Sequence, residues 1–123
     1  MKWIRAVIAL ERSRLERARR RFVREPGEET LHDVRTTGRR LRSLLEDVRD
    51  LVPRPRLLRR VKRAAEITDS ARDAAVLIAL LEASIADDPA ELTLAADLLG
   101  ALRTRQREAT QKARRALRRT RFA

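Results

Sequence analysis

Proline residues divide this sequence at three places, and the segments between them repeat apolar residues at helical spacing. The breaks are Pro26-Gly27, the pair Pro53 and Pro55, and Asp88-Pro89. Proline removes a backbone donor and clashes with the preceding turn, so a helix rarely continues through it. At Asp88-Pro89 the carboxylate can cap the free N–H groups of a following helix. The breaks therefore predict four helices.

Each predicted helix carries an apolar stripe. The stripes are Ile4, Ile8, Leu15, Ala18 and Phe22; Leu31, Val34, Leu41, Leu45 and Val48; Leu58, Val61, Ala65, Val76 and Ala79; and Ala95, Leu98, Leu99, Leu102, Ala109, Ala113 and Leu117. A chain of 123 residues has room for one core. An antiparallel four-helix bundle is the simplest way to bury four such stripes joined by short turns. We expect an all-α fold with residues 1–123 as one domain.

The charge of the chain indicates an anionic partner. Thirty lysines and arginines against eighteen acidic residues give a net charge of +12, which attracts anions and accelerates their association. Aromatic residues make up only 2% of the sequence, too few for the stacking platforms of typical single-stranded nucleic-acid binders.

Several other classes of function are disfavoured by composition. The chain has no cysteine and one histidine, so we expect no metal site and no cofactor. The longest apolar run, Ala74 to Leu81, is far shorter than a membrane span. We expect a cytoplasmic protein that does not associate with membranes.

Two predicted helices carry rows of cations beside their apolar stripes. His32, Arg35, Arg39 and Arg42 fall within about 80° of one another on the second helix. The row on the fourth helix is Arg103, Arg107, Arg114, Arg118 and Arg121. Like charges at these spacings repel one another, and a bound anion would offset that repulsion. A solvated charged face is the alternative for both rows.

Two further residues each allow two interpretations. Arg72 falls inside the predicted apolar stripe of the third helix, where it needs either a carboxylate such as Glu11 or a bound anion. His32 lies near a helix start, where it can donate to an anionic oxygen or serve as a satisfied structural residue.

Three stretches resemble the CHAD family, the conserved-histidine α-helical domain. LHDVRTTGRRLRSLLEDV resembles its first signature, in which a histidine precedes arginines at helical steps, here His32, Arg35, Arg39, Arg40 and Arg42. LLRRVKRAAEITDSARDAAVLIALLEA resembles the third helix of the family, with Arg72 and Asp73 as its Arg-Asp pair. LRRTRFA is similar to the close of the family's first bundle. The chain departs from the pattern at Thr68, Asp69 and Ala75.

The resemblance implies a fold that is half of a CHAD-like double bundle. If the face between the two bundles remains apolar, a symmetric homodimer would restore the two-bundle arrangement; a degenerate copy that pairs with another partner protein is the alternative. It implies that the chain binds inorganic polyphosphate through a basic groove and associates with polyphosphate granules. The binding residues would be His32, Arg35, Arg39, Arg40, Arg42, Lys62, Arg72, Arg103 and Arg107.

Two other functions remain open from the residues. One is a nucleic-acid-associated basic helical protein, whose target would be the phosphate backbone. The other is a scaffold whose arginines pair with its own acids, as Glu16 with Arg20 or Glu108 with Lys112 could at i, i+4. We do not expect an enzyme, because the acidic residues are scattered along the sequence without a cluster that could hold catalytic metal ions.

Overall fold

The computed structural model of the protein describes residues 1–86 and 92–122. Its helices are α1 (Lys2–Arg24), α2 (Glu28–Asp47), α3 (Pro55–Ala86) and α4 (Leu92–Arg119). The described residues contain no strand, so the prediction of an all-α fold is confirmed. The predicted helix start at Asp88-Pro89 lies outside the described residues.

The first two breaks have local causes that the structure shows. Between α1 and α2, the Gly27 N–H donates to Thr30 Oγ1 at 3.1 Å, and the Thr30 hydroxyl donates to the Glu25 carbonyl at 2.8 Å. These bonds satisfy a backbone N–H at the start of α2 and a backbone carbonyl at the end of α1, which would otherwise lack a partner. Helix α3 begins at Pro55, where the missing proline N–H costs no helical hydrogen bond.

Helices that are neighbours in sequence are also neighbours in space. Helix α4 returns to contact α1, while the backbones of the diagonal pairs, α1 with α3 and α2 with α4, do not approach within 8 Å between Cα atoms in the described parts of the chain. This arrangement is an antiparallel four-helix bundle. At 1.5 Å per residue, α3 is about 48 Å long and α2 about 30 Å. The hairpin of α3 and α4 therefore extends beyond the start of α2.

The predicted buried stripes are correct for α1 and α2; on α3 the predicted Val61 is buried, but the later part of the stripe, Val76 and Ala79, is wrong in register. The buried residues of α3 are Leu57, Val61, Ala64, Thr68, Ala71, Ala74, Ile78 and Ile85. Val76 is 43% exposed, and Ala79 and Arg72 are also exposed. The run from Ala74 to Leu81 is apolar on every side of the helix, so periodicity cannot show which side faces the core. On α4 the predicted core residue Leu98 is 52% exposed.

A charged cluster is buried where α4 ends against α1. The Glu16 carboxylate accepts hydrogen bonds from Arg19 Nε at 2.8 Å and Arg19 Nη2 at 2.6 Å. It also accepts from Arg20 Nε at 2.8 Å and from the backbone N–H of Phe122 at 3.0 Å. Arg19 Nη1 donates to the Leu117 carbonyl at 2.9 Å, which ties α1 to the end of α4.

The hydrogen bonds from Arg19 lower the pKa of Glu16 from 4.5 to about 2, against the opposing effect of burial. The predicted pair of Glu16 with Arg20 is confirmed at 2.8 Å. Glu108 and Lys112 do not approach within the 4.0 Å of an ion pair, so that prediction is wrong.

Candidate functional site

A cavity of about 700 Å³ opens between α2, α3 and α4; we call it the upper groove. Its basic side chains come from all three helices. They are His32, Arg35 and Arg39 of α2, Arg72 of α3, and Arg103 and Arg107 of α4. Six of the nine residues predicted to bind an anion therefore line one cavity.

Arg72 reaches the upper groove because of the register of α3. Thr68 and Ala71 face the core, which turns Arg72 onto the side of α3 that faces the groove. It needs no buried partner, because it is exposed. The predicted partner Glu11 instead pairs with Arg14, with Arg14 Nη1 at 2.7 Å from Glu11 Oε1.

Arg35 is held by three contacts with α3. Its Nη1 donates to Thr68 Oγ1 at 2.7 Å and to the Ala65 carbonyl at 3.2 Å, and lies 2.9 Å from Asp69 Oδ1. Thr68 and Asp69 are positions at which the sequence departs from the CHAD pattern. The departures therefore supply an internal anchor for Arg35.

Two carboxylates in the upper groove were not predicted from the sequence. Glu82 Oε1 is 2.9 Å from Arg103 Nη2, and Glu28 Oε1 accepts a hydrogen bond from Gln106 Nε2 at 3.1 Å. The sequence signal for Glu82 was weak, because its partner lies 21 positions away on another helix.

Three arginines of the upper groove lack an acidic partner among the described residues. No carboxylate within residues 1–86 and 92–122 lies within 4.0 Å of Arg39, Arg72 or Arg107. Arg107 Nη2 donates only to a neutral group, Thr104 Oγ1, at 3.1 Å. These guanidinium groups come from three helices and share one cavity, where their charges repel one another.

His32 is an exposed residue at the edge of the groove. Its Nε2 lies 3.3 Å from Thr36 Oγ1, one turn along the same helix. This contact lies within one helix and on its surface, so it does not favour the interpretation of His32 as a satisfied structural residue. Its ring is accessible to a ligand in the groove.

A second cavity of about 330 Å³, the lower groove, lies between α2 and α3. Arg42 and Lys62 line it, and both approach Glu46 Oε1, at 3.0 Å and 3.9 Å. Arg35 and Arg39 line both grooves, so the two cavities adjoin across α2.

The remaining predicted cations lie elsewhere. Arg40 is exposed and lines neither groove. On α4, Arg114 Nε donates to the Val23 carbonyl at 2.7 Å, which is a structural contact with α1. Arg118 and Arg121 are exposed outside both grooves. Of the α4 row, only the first two members therefore line either groove.

The sequence matches the CHAD domain over residues 6–123, nearly the whole chain. The chain belongs to the CHAD family. No curated protein and no solved structure matches the chain. The CHAD family is associated with polyphosphate binding, and the CHAD signature of this chain, from His32 to Arg42, lies along the two grooves.

The described residues of this CHAD domain contain neither a metal-binding cluster nor a membrane-spanning helix. Within the part of the chain that the structure describes, no three His, Cys, Asp or Glu side chains are grouped so that they could hold a metal ion. In the same residues, no helix combines the length and apolar character needed to cross a membrane.

Proposed function

We propose that the protein binds inorganic polyphosphate along the upper and lower grooves. The observation that carries the proposal is the convergence of Arg39, Arg72 and Arg107 on one cavity with no carboxylate within 4.0 Å in the described residues. Three such cations in one open groove are stabilised by an anion that contacts them together.

The shape of the two grooves suits a linear polymer. Arg39 lines both cavities, so a chain that leaves the upper groove can continue into the lower one without losing contact with a cation. The row from His32 to Arg42 extends about 15 Å along α2. Guanidinium groups present paired donors that match phosphate oxygens. A polymer with a charge on every phosphate can use this repeated arrangement, whereas a single phosphate ion contacts only part of it.

We also propose that the protein binds its ligand without transforming it, and that this binding places it at polyphosphate granules. Phosphoryl transfer to water generally requires metal ions held by carboxylates. Both carboxylates that line the upper groove already contact another side chain, Glu28 with Gln106 and Glu82 with Arg103. This argues for retention of the polymer rather than its cleavage.

A homodimer is the third part of the proposal. The run from Ala74 to Leu81 on α3 is apolar on all sides, and in the single chain it leaves Leu77 43% and Leu80 61% exposed. On α4, Leu94 is 83% exposed. Exposed apolar side chains of this size commonly mark protein interfaces, and a second copy would cover them. Sedimentation equilibrium checks this directly: a monomer mass at all concentrations would rule out the dimer.

The test is a binding titration with long-chain polyphosphate, duplex DNA and single-stranded RNA at about 0.15 M salt. An Arg39→Ala, Arg72→Ala double variant removes two cations from the upper groove. An Arg40→Ala, Arg115→Ala double variant removes the same charge from exposed positions that line neither groove. We expect the groove variant to bind polyphosphate at least about tenfold more weakly and the control to stay within about threefold of wild type.

Two results would contradict the proposal. Equal losses in the two variants would mean that only the overall charge is recognised. Tighter binding to DNA or RNA than to polyphosphate, at equal phosphate concentration, would favour a nucleic-acid-associated protein instead.

A further inference from the structure

The upper groove has an apolar wall as well as its cations. Leu31 of α2 and four residues of α3, namely Ala75, Val76, Ile78 and Ala79, line the same cavity as the six basic side chains. Val76 is 43% exposed in the groove. A polymer of phosphate groups alone has no apolar surface to place against this wall, so the proposed function leaves it without a role.

The dimensions and chemistry of the wall suit a planar ring. Ala75 and Ala79 are one turn apart on α3 and carry only methyl groups, with Val76 beside them. Because these side chains are short and apolar, a flat ring can make close contact with them. Arg72 precedes it by one turn on the same side of α3, and a guanidinium group stacks readily on aromatic faces. A volume of about 700 Å³ is that of a small-molecule site.

We propose that the upper groove binds a nucleoside polyphosphate. Its phosphates contact Arg39, Arg103 and Arg107, and its base lies against the wall formed by Ala75, Val76 and Ala79, covered by Arg72. Two further polar residues that line the cavity, Gln106 and Glu28, are bonded to each other at 3.1 Å.

This ligand uses the cations of the proposed polyphosphate site and adds a contact that the polymer does not make. It differs from a nucleic acid in its charge density. A nucleoside triphosphate places three linked phosphates beside one ring, whereas RNA separates successive phosphates by a sugar. A groove with clustered cations and one apolar wall therefore matches a nucleoside triphosphate better than it matches RNA.

The experiment compares ATP, GTP and inorganic tripolyphosphate by isothermal titration calorimetry, without divalent cations and at constant salt. Electrostatic attraction alone makes tripolyphosphate bind at least as tightly as ATP, because it carries at least as much charge. Contact of the base with the wall makes ATP and GTP bind tighter by about fivefold or more. A Val76→Asn variant should abolish this advantage and leave the affinity for tripolyphosphate and for long polyphosphate unchanged.

The matched control is Val7→Asn on α1, which changes a valine of similar exposure, 38%, outside both grooves. Circular dichroism verifies that both variants keep their helices. The inference is overturned if tripolyphosphate binds as tightly as ATP, or if Val76→Asn and Val7→Asn bind ATP equally well. A protein that binds ATP but not long polyphosphate would refute the proposed function and leave this inference intact.

Discussion

The buried carboxylate of Glu16 makes the strongest stability prediction. Its side chain is 6% exposed and accepts four hydrogen bonds, three of them from Arg19 and Arg20. A Glu16→Gln substitution keeps the shape but removes the charge opposite Arg19, whose side chain is 7% exposed. Breaking a buried ion pair from one side leaves an uncompensated charge and costs about 3–5 kcal/mol.

The pKa of Glu16 gives a second value for the stability that this carboxylate contributes. A fall from 4.5 to about 2 corresponds to about 3 kcal/mol of stabilisation when the carboxylate is ionised. Because the folded-state pKa is the lower one, this contribution is complete above pH 4.5 and is lost as the pH falls through about 2. The stability expected to be lost on substitution and the stability contributed by ionisation of Glu16 therefore agree, at about 3 kcal/mol each.

Urea unfolding followed by circular dichroism measures both effects. At pH 7 we expect Glu16→Gln to lose about 3 kcal/mol of unfolding free energy, and the exposed control Glu108→Gln to change by less than about 0.5 kcal/mol. Near pH 2, at the same ionic strength, the difference between wild type and Glu16→Gln should shrink to less than half. A loss below about 1 kcal/mol at pH 7, or a difference that does not change with pH, would refute the reasoning.

Two further predictions concern the groove and α2. Glu82→Gln frees Arg103 from its contact at 2.9 Å and should tighten polyphosphate binding by about two- to fivefold in direct titration. Glu108→Gln is the control, because it removes an equal charge outside the grooves. An equal gain in affinity in both variants would show that the effect does not depend on Arg103. Gly38→Ala should raise the free energy of unfolding by about 0.5–1 kcal/mol, since the added Cβ would lie in ordinary contact, 3.9 Å from Leu15 Cδ1. Nothing lies within 4 Å of the Cβ that Gly100→Ala adds, so this variant should gain a similar free energy of unfolding, measured with urea. If Gly38→Ala alone lowers the free energy of unfolding, α1 and α2 pack too closely for a methyl group.

The predictions were most successful where the sequence alternates clearly between apolar and charged residues. On α2, charged and polar residues flank Leu31, Val34, Leu41 and Leu45, and all four are buried as predicted. The same contrast placed His32, Arg35 and Arg39 on one side of that helix, beside the groove. Periodicity is informative in this region because only one orientation of the helix buries its apolar residues.

The prediction failed on α3 because that contrast disappears. Between Ala74 and Leu81 every residue is apolar, so local sequence does not distinguish the core side from the groove side. Packing against α4 decides the register: Ala74 and Ile78 are buried, while Val76 faces the groove. The position of Arg72 follows from this register.

Sequence alone determined that the chain forms four amphipathic helices, that its surface is strongly cationic, and that it carries the CHAD signature. These properties depend on residues close together in the chain. Tertiary structure decided which cations remain without a partner, since Arg35 meets Asp69 and Arg103 meets Glu82 across different helices. It also placed an apolar wall beside the arginines. Such pairings depend on the rotation of each helix about its axis, which packing against the other helices sets.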